Sequence, residues 1–252
     1  TRNQSPSGTF VNRLATRAGQ PVTHERAMSG GSHVVRLFQA LPADAARALA
    51  SHLATDAAIE YVEPDLLMQP TLVPNDPLYT SQWHFLGPPS EMGGANLAPA
   101  WNLTTGAGGV VVAVIDTGSL PAHPELAGRY VGGYDFVSSV LLGNDGDGRD
   151  ADPSDPGDWI SLEDATSNYG GCPIKDSSFH GAHVAGIVGA ASGNANGIAG
   201  VNWTSKILPA RVLGKCGGYT SDIVDAIRWS AGVAVPGVPN NANPARVLNM
   251  SL

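Results

Sequence analysis

The stretch Val111–Gly118, VVAVIDTG, decides the fold of this chain. Residues 110–115 form a continuous apolar run rich in β-branched side chains, which is typical of a strand in a parallel sheet covered on both faces. Thr117 and Gly118 end the run. Asp116 is therefore expected at the carboxyl edge of the sheet, where open α/β folds place their functional groups.

A second segment, His180–Gly186 (HGAHVAG), complements the first. Residues 182–191 are small and apolar enough to form a buried helix, with His180 in its first turn. An imidazole there can face a cleft while a carboxylate holds its other nitrogen, which is the geometry that orients a general base. Taken alone, either residue is more often a turn or structural residue. The combination of Asp116 and His180 predicts a catalytic pair.

The order of four segments supports this prediction: VVAVIDTG at 111–118, HPEL at 123–126, HGAHVAG at 180–186 and GIAGVNWTSKILPARVL at 197–213. The series resembles the subtilisin-like serine proteases. That resemblance implies an α/β domain with a parallel sheet flanked by helices. It also implies that Asp116 is the triad carboxylate, His180 the general base and His183 a structural partner.

One element of the family pattern is missing from the sequence. The segment that carries the nucleophilic serine, GTS followed by a small residue, occurs nowhere in the 252 residues. Ser251 follows an apolar run, and the resemblance assigns Ser251 and Leu252 to substrate binding rather than to nucleophilic attack. We therefore expect the serine beyond residue 252 and predict that the chain as given is inactive.

A second substrate-binding edge is implied by the same resemblance. The segment 216–219, which contains Gly217 and Gly218, would pair with the extended backbone of a substrate, as in other cases of edge pairing. A plain glycine turn before the helix predicted over 219–234 explains these two glycines equally well.

Residues 1–70 differ in pattern from residues 71–252. We predict helices over 11–18 and 43–54 and strands over 34–40 and 59–62. This order, with AIEYVEPDLLMQP at 58–70, resembles the propeptides of subtilisin-like precursors, which help the protease fold and block its cleft. The resemblance implies a small α+β ferredoxin-like unit whose first strand lies upstream of Thr1. It also implies a cleavage junction near residues 69–73, followed by the N-terminal part of the peptidase domain.

An acidic loop lies between the two catalytic candidates. Residues 145–164 carry eight Asp or Glu residues, many alternating with Gly and Pro. Such a loop can supply the oxygen ligands that calcium requires, although a solvated acidic loop has the same composition. We predict calcium bound by Asp147, Asp150, Asp152 and Asp155.

A second calcium site is implied by the resemblance alone. Family members hold calcium between an N-terminal Asp, an acid in the HPxL turn and a loop after the histidine helix. The matching residues here are Asp76, Glu125 and Asn194.

Two cysteines, Cys172 and Cys216, are expected at the same rim of the sheet. For an exported enzyme we favour a disulfide between them over two free thiols.

Composition bounds the remaining function classes. The net charge of −8 comes without a basic stripe that could neutralise phosphates, so we predict no nucleic-acid partner. No apolar run approaches the ~18 residues of a membrane span, so we predict no membrane partner. The chain begins with Thr and shows no signal peptide, so we expect its natural start upstream.

Together these patterns predict an incomplete precursor of a secreted subtilisin-like endopeptidase whose partners are protein or peptide substrates and its own propeptide. Two alternatives remain. One is a non-catalytic pseudoprotease used for binding, and the other is a protease inhibitor or folding chaperone formed by residues 1–70.

Overall fold

The computed structural model describes residues 5–65, 72–168 and 172–252. The chain divides into two compact units, Thr1–Pro70 and Thr71–Leu252. The assignment of residues 1–70 as a propeptide and of residues 71–252 as the N-terminal part of a peptidase domain stays a prediction. Most of the expected cleavage junction, residues 69–71, lies outside the described residues.

Over residues 5–65, the first unit contains two helices and a two-stranded antiparallel sheet. Its elements are α1 (Gly8–Ala18), β1 (Val22–Ala27), β2 (His33–Leu37) and α2 (Ala43–Leu53). Ser7 caps α1 by accepting a hydrogen bond from the Phe10 amide, and Gly19 ends the helix at φ 67°. Leu14, Val22 and Leu53 form the centre of a small core.

In this unit one predicted strand is absent from the described residues, and one observed strand was not predicted. Residues 59–62 do not form a strand, because Ile59 and Val62 pack against the core without pairing to β1 or β2. Strand β1 was not predicted, because its sequence VTHERA is apolar only at its two ends and lacks strand alternation. The observed order is helix, strand, strand, helix, so the ferredoxin-like arrangement is not confirmed.

The second unit confirms the predicted α/β class. The part of this unit that the structure describes contains four parallel strands in the spatial order β4-β5-β3-β6. They are β3 (Val111–Asp116), β4 (Tyr134–Asp135), β5 (Lys206–Arg211) and β6 (Val247–Met250). Strand β3 is buried from Val112 to Asp116, as its continuous apolar run predicts.

Helices cover both faces of this sheet. Alternate residues of β3 point to opposite faces, so neighbouring residues of this strand pack against different helices. The helices of this unit are α3 (Leu97–Trp101), α4 (Val140–Gly143), α5 (His180–Gly189) and α6 (Thr220–Ser230). Val114 packs with Ala185 of α5 in one cluster. Ala113 and Ile115 pack in another cluster with Trp229 of α6.

The parallel register brings three ionisable side chains to one edge of the sheet. Asp116 ends β3, Asp135 ends β4 and Arg211 ends β5, and Arg211 is the register partner of both aspartates. The carboxyl edge therefore carries a concentration of charge inside an otherwise apolar layer. Among the described residues, no helix is long and apolar enough to span a membrane.

Candidate active site

The structure brings Asp116 and His180 into direct contact. Nδ1 of His180 lies 2.8 Å from Oδ1 and 2.9 Å from Oδ2 of Asp116. Asp116 is fully buried, whereas 43% of the His180 side chain is exposed. A carboxylate can only accept, so this contact places the proton of a neutral imidazole on Nδ1 and leaves Nε2 as an acceptor.

The pair is held in place by the two segments that the sequence singled out. Gly181 lies so close to the end of β3 that an added Cβ would be 2.5 Å from the Gly118 carbonyl oxygen. The Gly181 amide also donates to Thr117 Oγ1 at 2.9 Å. The amide of Thr117 in turn donates to Asp116 Oδ1 at 2.7 Å. A glycine after His180 is therefore what lets the first turn of α5 approach Asp116.

The side chain of His183 is exposed on α5. The role of structural partner expected for it stays a prediction.

One predicted substrate edge lies beside His180. Gly217 and His180 line the same pocket, which has a volume of about 200 Å³. Gly214 and Gly217 form a tight turn in which the Gly214 amide donates to the Gly217 carbonyl at 3.0 Å. Gly218 must be glycine, because an added Cβ would be 2.0 Å from the Val212 carbonyl oxygen.

Ser251 and Leu252 continue β6 at the carboxyl edge. Met250 is the register partner of Ile115, so Ser251 comes level with Asp116 along the sheet. Both Ser251 and Leu252 are exposed, and Ser251 Oγ accepts from Asn249 Nδ2 at 3.1 Å. Their roles in substrate binding stay predictions.

Cys172 and Cys216 form a disulfide with a Cα–Cα distance of 6.0 Å. The bridge was favoured over two free thiols. It ties the segment that leads into His180 to the turn between Gly214 and Gly217, so the two sides of the pocket are covalently joined.

The four calcium ligands predicted in the acidic loop do not all lie at one site. Asp147, Asp150 and Asp152 line a pocket of about 240 Å³. Asp155 is instead buried beside the catalytic pair, where it accepts from Thr117 Oγ1 at 2.5 Å and from the Gly157 amide at 2.8 Å. Burial raises the pKa of Asp155, and these two hydrogen bonds offset part of the rise. Both oxygens of Asp155 accept hydrogen bonds within the protein, and Asp155 does not line the pocket formed by the other three aspartates.

The other predicted set does converge. The Asn194 amide donates to Asp76 Oδ1 at 3.4 Å, and Asn194 Nδ2 donates to Glu125 Oε1 at 3.5 Å. Asp76 and Glu125 are both buried. Glu125 Oε2 is buried with no hydrogen-bond partner, which is costly for a carboxylate oxygen. Among the described residues, no group of three His, Cys, Asp or Glu side chains has a metal-binding arrangement.

A second charged cluster lies at the carboxyl edge and was not predicted from the sequence. Arg211 contacts the carboxylates of Asp135 and Asp145 and the Gly143 carbonyl. Burial raises the pKa of Asp135 to about 7, while Arg211 and the Val137 amide act in the opposite direction. One arginine inside the apolar run ILPARVL was the signal that could have revealed this cluster.

At the carboxyl edge of a parallel sheet in an α/β protein, a buried Asp contacts a half-exposed His, an arrangement that can orient a general base. The match to known families is specific. The Subtilase family profile matches residues 107–252, more than half of the chain, and the chain belongs to this family.

Individual relatives agree with this assignment. The chain is 44% identical to an extracellular protease of Xanthomonas campestris pv. campestris over 90% of its own length and 38% of that protein. It is 46% identical to an extracellular basic protease of Dichelobacter nodosus over 79% of its own length and 32% of that protein. The chain therefore spans well under half of these relatives.

A solved structure of a protease from Pseudoalteromonas arctica is also similar. It has a TM-score of 0.65 and 49% sequence identity, and the match covers 71% of this chain and 50% of that chain. This likeness agrees with the parallel sheet and the helices described above.

Proposed function

We propose that this chain is part of a secreted serine endopeptidase of the subtilisin type. Asp116 and His180 would activate a serine supplied by a part of the protein outside these 252 residues. The observation that carries the proposal is the contact of both Asp116 oxygens with Nδ1 of His180, while the imidazole remains exposed. Membership of the Subtilase family and the names of the relatives support it.

In the proposed mechanism, Nε2 of His180 accepts the proton of the serine hydroxyl during attack on the peptide carbonyl. The imidazolium that forms is stabilised by Asp116, which also holds the ring in the required tautomer. Because Asp116 is buried and bonded by the Thr117 amide, it cannot turn away from the ring. His180 then returns the proton to the leaving amine.

The proposed substrate is a protein or peptide bound in an extended conformation. The backbone of residues 216–219 and of Ser251 and Leu252 would pair with it. This is supported by the turn at Gly217, which borders the same pocket as His180, and by the exposure of Ser251 and Leu252 at the carboxyl edge. Backbone pairing gives affinity with little demand on the substrate sequence.

We assign residues 1–70 the role of a propeptide that assists folding and inhibits the enzyme. The unit has its own small core but a sheet of only two strands in its described residues, which is marginal for independent stability. Adding a peptide of residues 1–70 to the processed enzyme should inhibit it in a concentration-dependent manner. Unchanged activity at a large excess of the peptide would contradict the assignment.

We also propose structural calcium. Asp76, Glu125 and Asn194 are the proposed ligands of one site. Asp76 and Glu125 are buried carboxylates that both accept hydrogen bonds from Asn194, and Glu125 Oε2 is buried without a partner that would offset its charge. Bound calcium would neutralise the two buried carboxylates there. Asp147, Asp150 and Asp152 are the proposed ligands in the acidic loop, where they line one pocket.

Calorimetric titration of the folded protein with calcium tests both sites. We expect Glu125→Gln and Asp147→Asn each to remove one class of binding site, while the exposed control Glu63→Gln leaves the titration unchanged. Absence of any calcium binding to the folded protein would overturn the cofactor proposal.

Secretion is supported by the names of the relatives and by the disulfide, since disulfides persist in oxidising compartments. The whole proposal is tested with the complete gene product and an unfolded protein such as casein as substrate. We expect cleavage by the wild type and a loss of roughly 10⁶-fold in His180→Ala, the magnitude known for triad histidines of this family. A His180→Ala variant that cleaves casein at the wild-type rate would overturn the proposal.

A further inference from the structure

The pocket beside His180 contains an ion pair that the proposed mechanism does not use. Asp158 and Lys175 both line this pocket, and both come from the segment that precedes α5. Lys175 Nζ lies 2.5 Å from Asp158 Oδ2. Among the described residues that line the pocket, these two side chains are the ones with a fixed charge at neutral pH.

Asp158 is the inaccessible member of the pair. Only 6% of its side chain is exposed, and its second oxygen accepts from the Ser178 amide at 2.6 Å. Burial opposes its ionisation, but the hydrogen bonds from Lys175 and Ser178 outweigh burial and lower its pKa. The carboxylate is therefore charged and has both oxygens engaged within the protein.

Lys175 is the accessible member. Its side chain is 42% exposed. An ammonium group has three N–H donors, and the contact with Asp158 accounts for one of them. The remaining donors are free to point toward the pocket, so a group that enters from the cleft meets a hydrogen-bond donor with positive charge.

The neighbouring lysine does not compete for this role. Lys215, in the turn between Gly214 and Gly217, donates to Asp164 at 2.9 Å and lies 5.1 Å from the centre of the Trp159 ring. Its charge is thereby directed away from the pocket, which Lys215 does not line. The disulfide between Cys172 and Cys216 holds the Lys175 segment next to this turn.

We propose that Lys175 determines specificity: the pocket receives a substrate side chain that flanks the scissile bond and prefers one with a carboxylate. The inference rests on the proposed function. A substrate Glu or Asp would accept a charge-assisted hydrogen bond from Lys175. A substrate Lys or Arg would be repelled by Lys175 and would find no accessible carboxylate, because Asp158 is buried and already paired with Lys175.

The test uses the complete gene product and fluorogenic peptides that carry Glu, Gln or Lys in turn at each of the four positions around the scissile bond. We expect one position at which kcat/KM is highest for the Glu peptide, lower for the Gln peptide and lowest for the Lys peptide. In Lys175→Met the ratio of the Glu to the Lys peptide should fall by about tenfold, because a charge-assisted hydrogen bond is lost and Asp158 is left without its cation.

Two further variants separate specificity from folding. Lys175→Arg keeps the charge and should retain most of the Glu preference, whereas Asp158→Asn removes the opposing anion and should increase it. Lys206→Met is the matched control, because Lys206 lies at the opposite end of β5 and donates to the Gly128 carbonyl. It should leave every ratio unchanged.

Equal Glu to Lys ratios in the wild type and in Lys175→Met at all four positions would overturn the inference and leave the proposed function intact. A wild-type preference for Lys at every position would also overturn the inference and leave the proposed function intact. Failure of the wild type to cleave any peptide would overturn the proposed function, and the inference with it.

Discussion

Two buried aspartates at the same edge of the sheet have opposite surroundings. Asp116 ends β3 and contacts the half-exposed imidazole of His180. Asp135 ends β4 and contacts the guanidinium of Arg211, which is 1% exposed. Both carboxylates come from strand ends in a buried sheet, so position alone does not distinguish them.

The two pairs differ in whether the partner of the aspartate can exchange a proton with solvent or substrate. An imidazole gains and loses protons near neutral pH, and His180 is open to the cleft. A guanidinium keeps its charge at all physiological pH values, and Arg211 is enclosed by Asp135, Asp145 and the Gly143 carbonyl. The first pair is suited to catalysis, and the second joins the start of the acidic loop to the sheet.

The largest difference between the two pairs is expected when each aspartate is neutralised in turn. Asp116→Asn in the complete gene product should lower kcat/KM by about 10⁴-fold, because an amide no longer holds His180 in the required tautomer. Asp135→Asn is the matched control and should change kcat/KM by less than about tenfold, because Asp135 does not contact His180. Equal losses in the two variants, measured by peptide hydrolysis, would show that the two pairs are not functionally distinct.

The second prediction concerns stability. Arg211→Met should lower the free energy of unfolding of the second unit by about 3–5 kcal/mol, because Asp135 and Asp145 lose their buried counter-ion. All five tryptophans lie in this unit, so urea unfolding followed by tryptophan fluorescence reports on it.

The exposed Arg246 provides the control for this experiment. Arg246→Met should change the free energy of unfolding by less than about 0.5 kcal/mol. A loss in Arg211→Met no larger than that of the control would mean that the buried cluster contributes nothing to stability.

The third effect is a pH dependence, which is small over any single pH unit. Burial raises the pKa of Asp135 to about 7, far above its unfolded value, so the folded protein holds this proton while the unfolded chain releases it. The stability that this proton provides is fully present below pH ~4 and is lost as the pH rises through ~7. Between pH ~5 and ~6 it contributes a fall of up to about 1.4 kcal/mol per pH unit.

Urea unfolding at several pH values isolates this contribution when the wild type is compared with Asp135→Asn. The variant should lack the Asp135 part of the slope, while the part that comes from Asp155, whose pKa is also raised by burial, should remain. Identical slopes in the two proteins would contradict the raised pKa.

The two pairs also differ in how far the sequence predicted them. Asp116 and His180 were predicted because each follows a local pattern, a buried apolar strand and a small apolar helix, and both patterns formed as expected. The Arg211 cluster was missed because its aspartates lie 76 and 66 residues away and no local pattern joins them.

Other parts of the chain show the same difference between what a local sequence pattern predicts and what long-range contacts decide. Local composition placed Asp155 with the other acids of its loop, but a long-range hydrogen bond from Thr117 directs it toward the catalytic pair. Strand β1 was missed because its residues are mostly polar, and its pairing with β2 creates it. Tertiary contacts, rather than local pattern, decide these positions.

Covalent labelling of the complete gene product with a fluorophosphonate, a reagent that traps activated serines, tests the central claim most directly. The wild type should be labelled at one serine outside residues 1–252, and His180→Ala should be labelled at least about 10³-fold more slowly, because no base activates that serine. Labelling of His180→Ala at the wild-type rate, or no labelling of the wild type, would contradict the assignment of Asp116 and His180 as the activating pair.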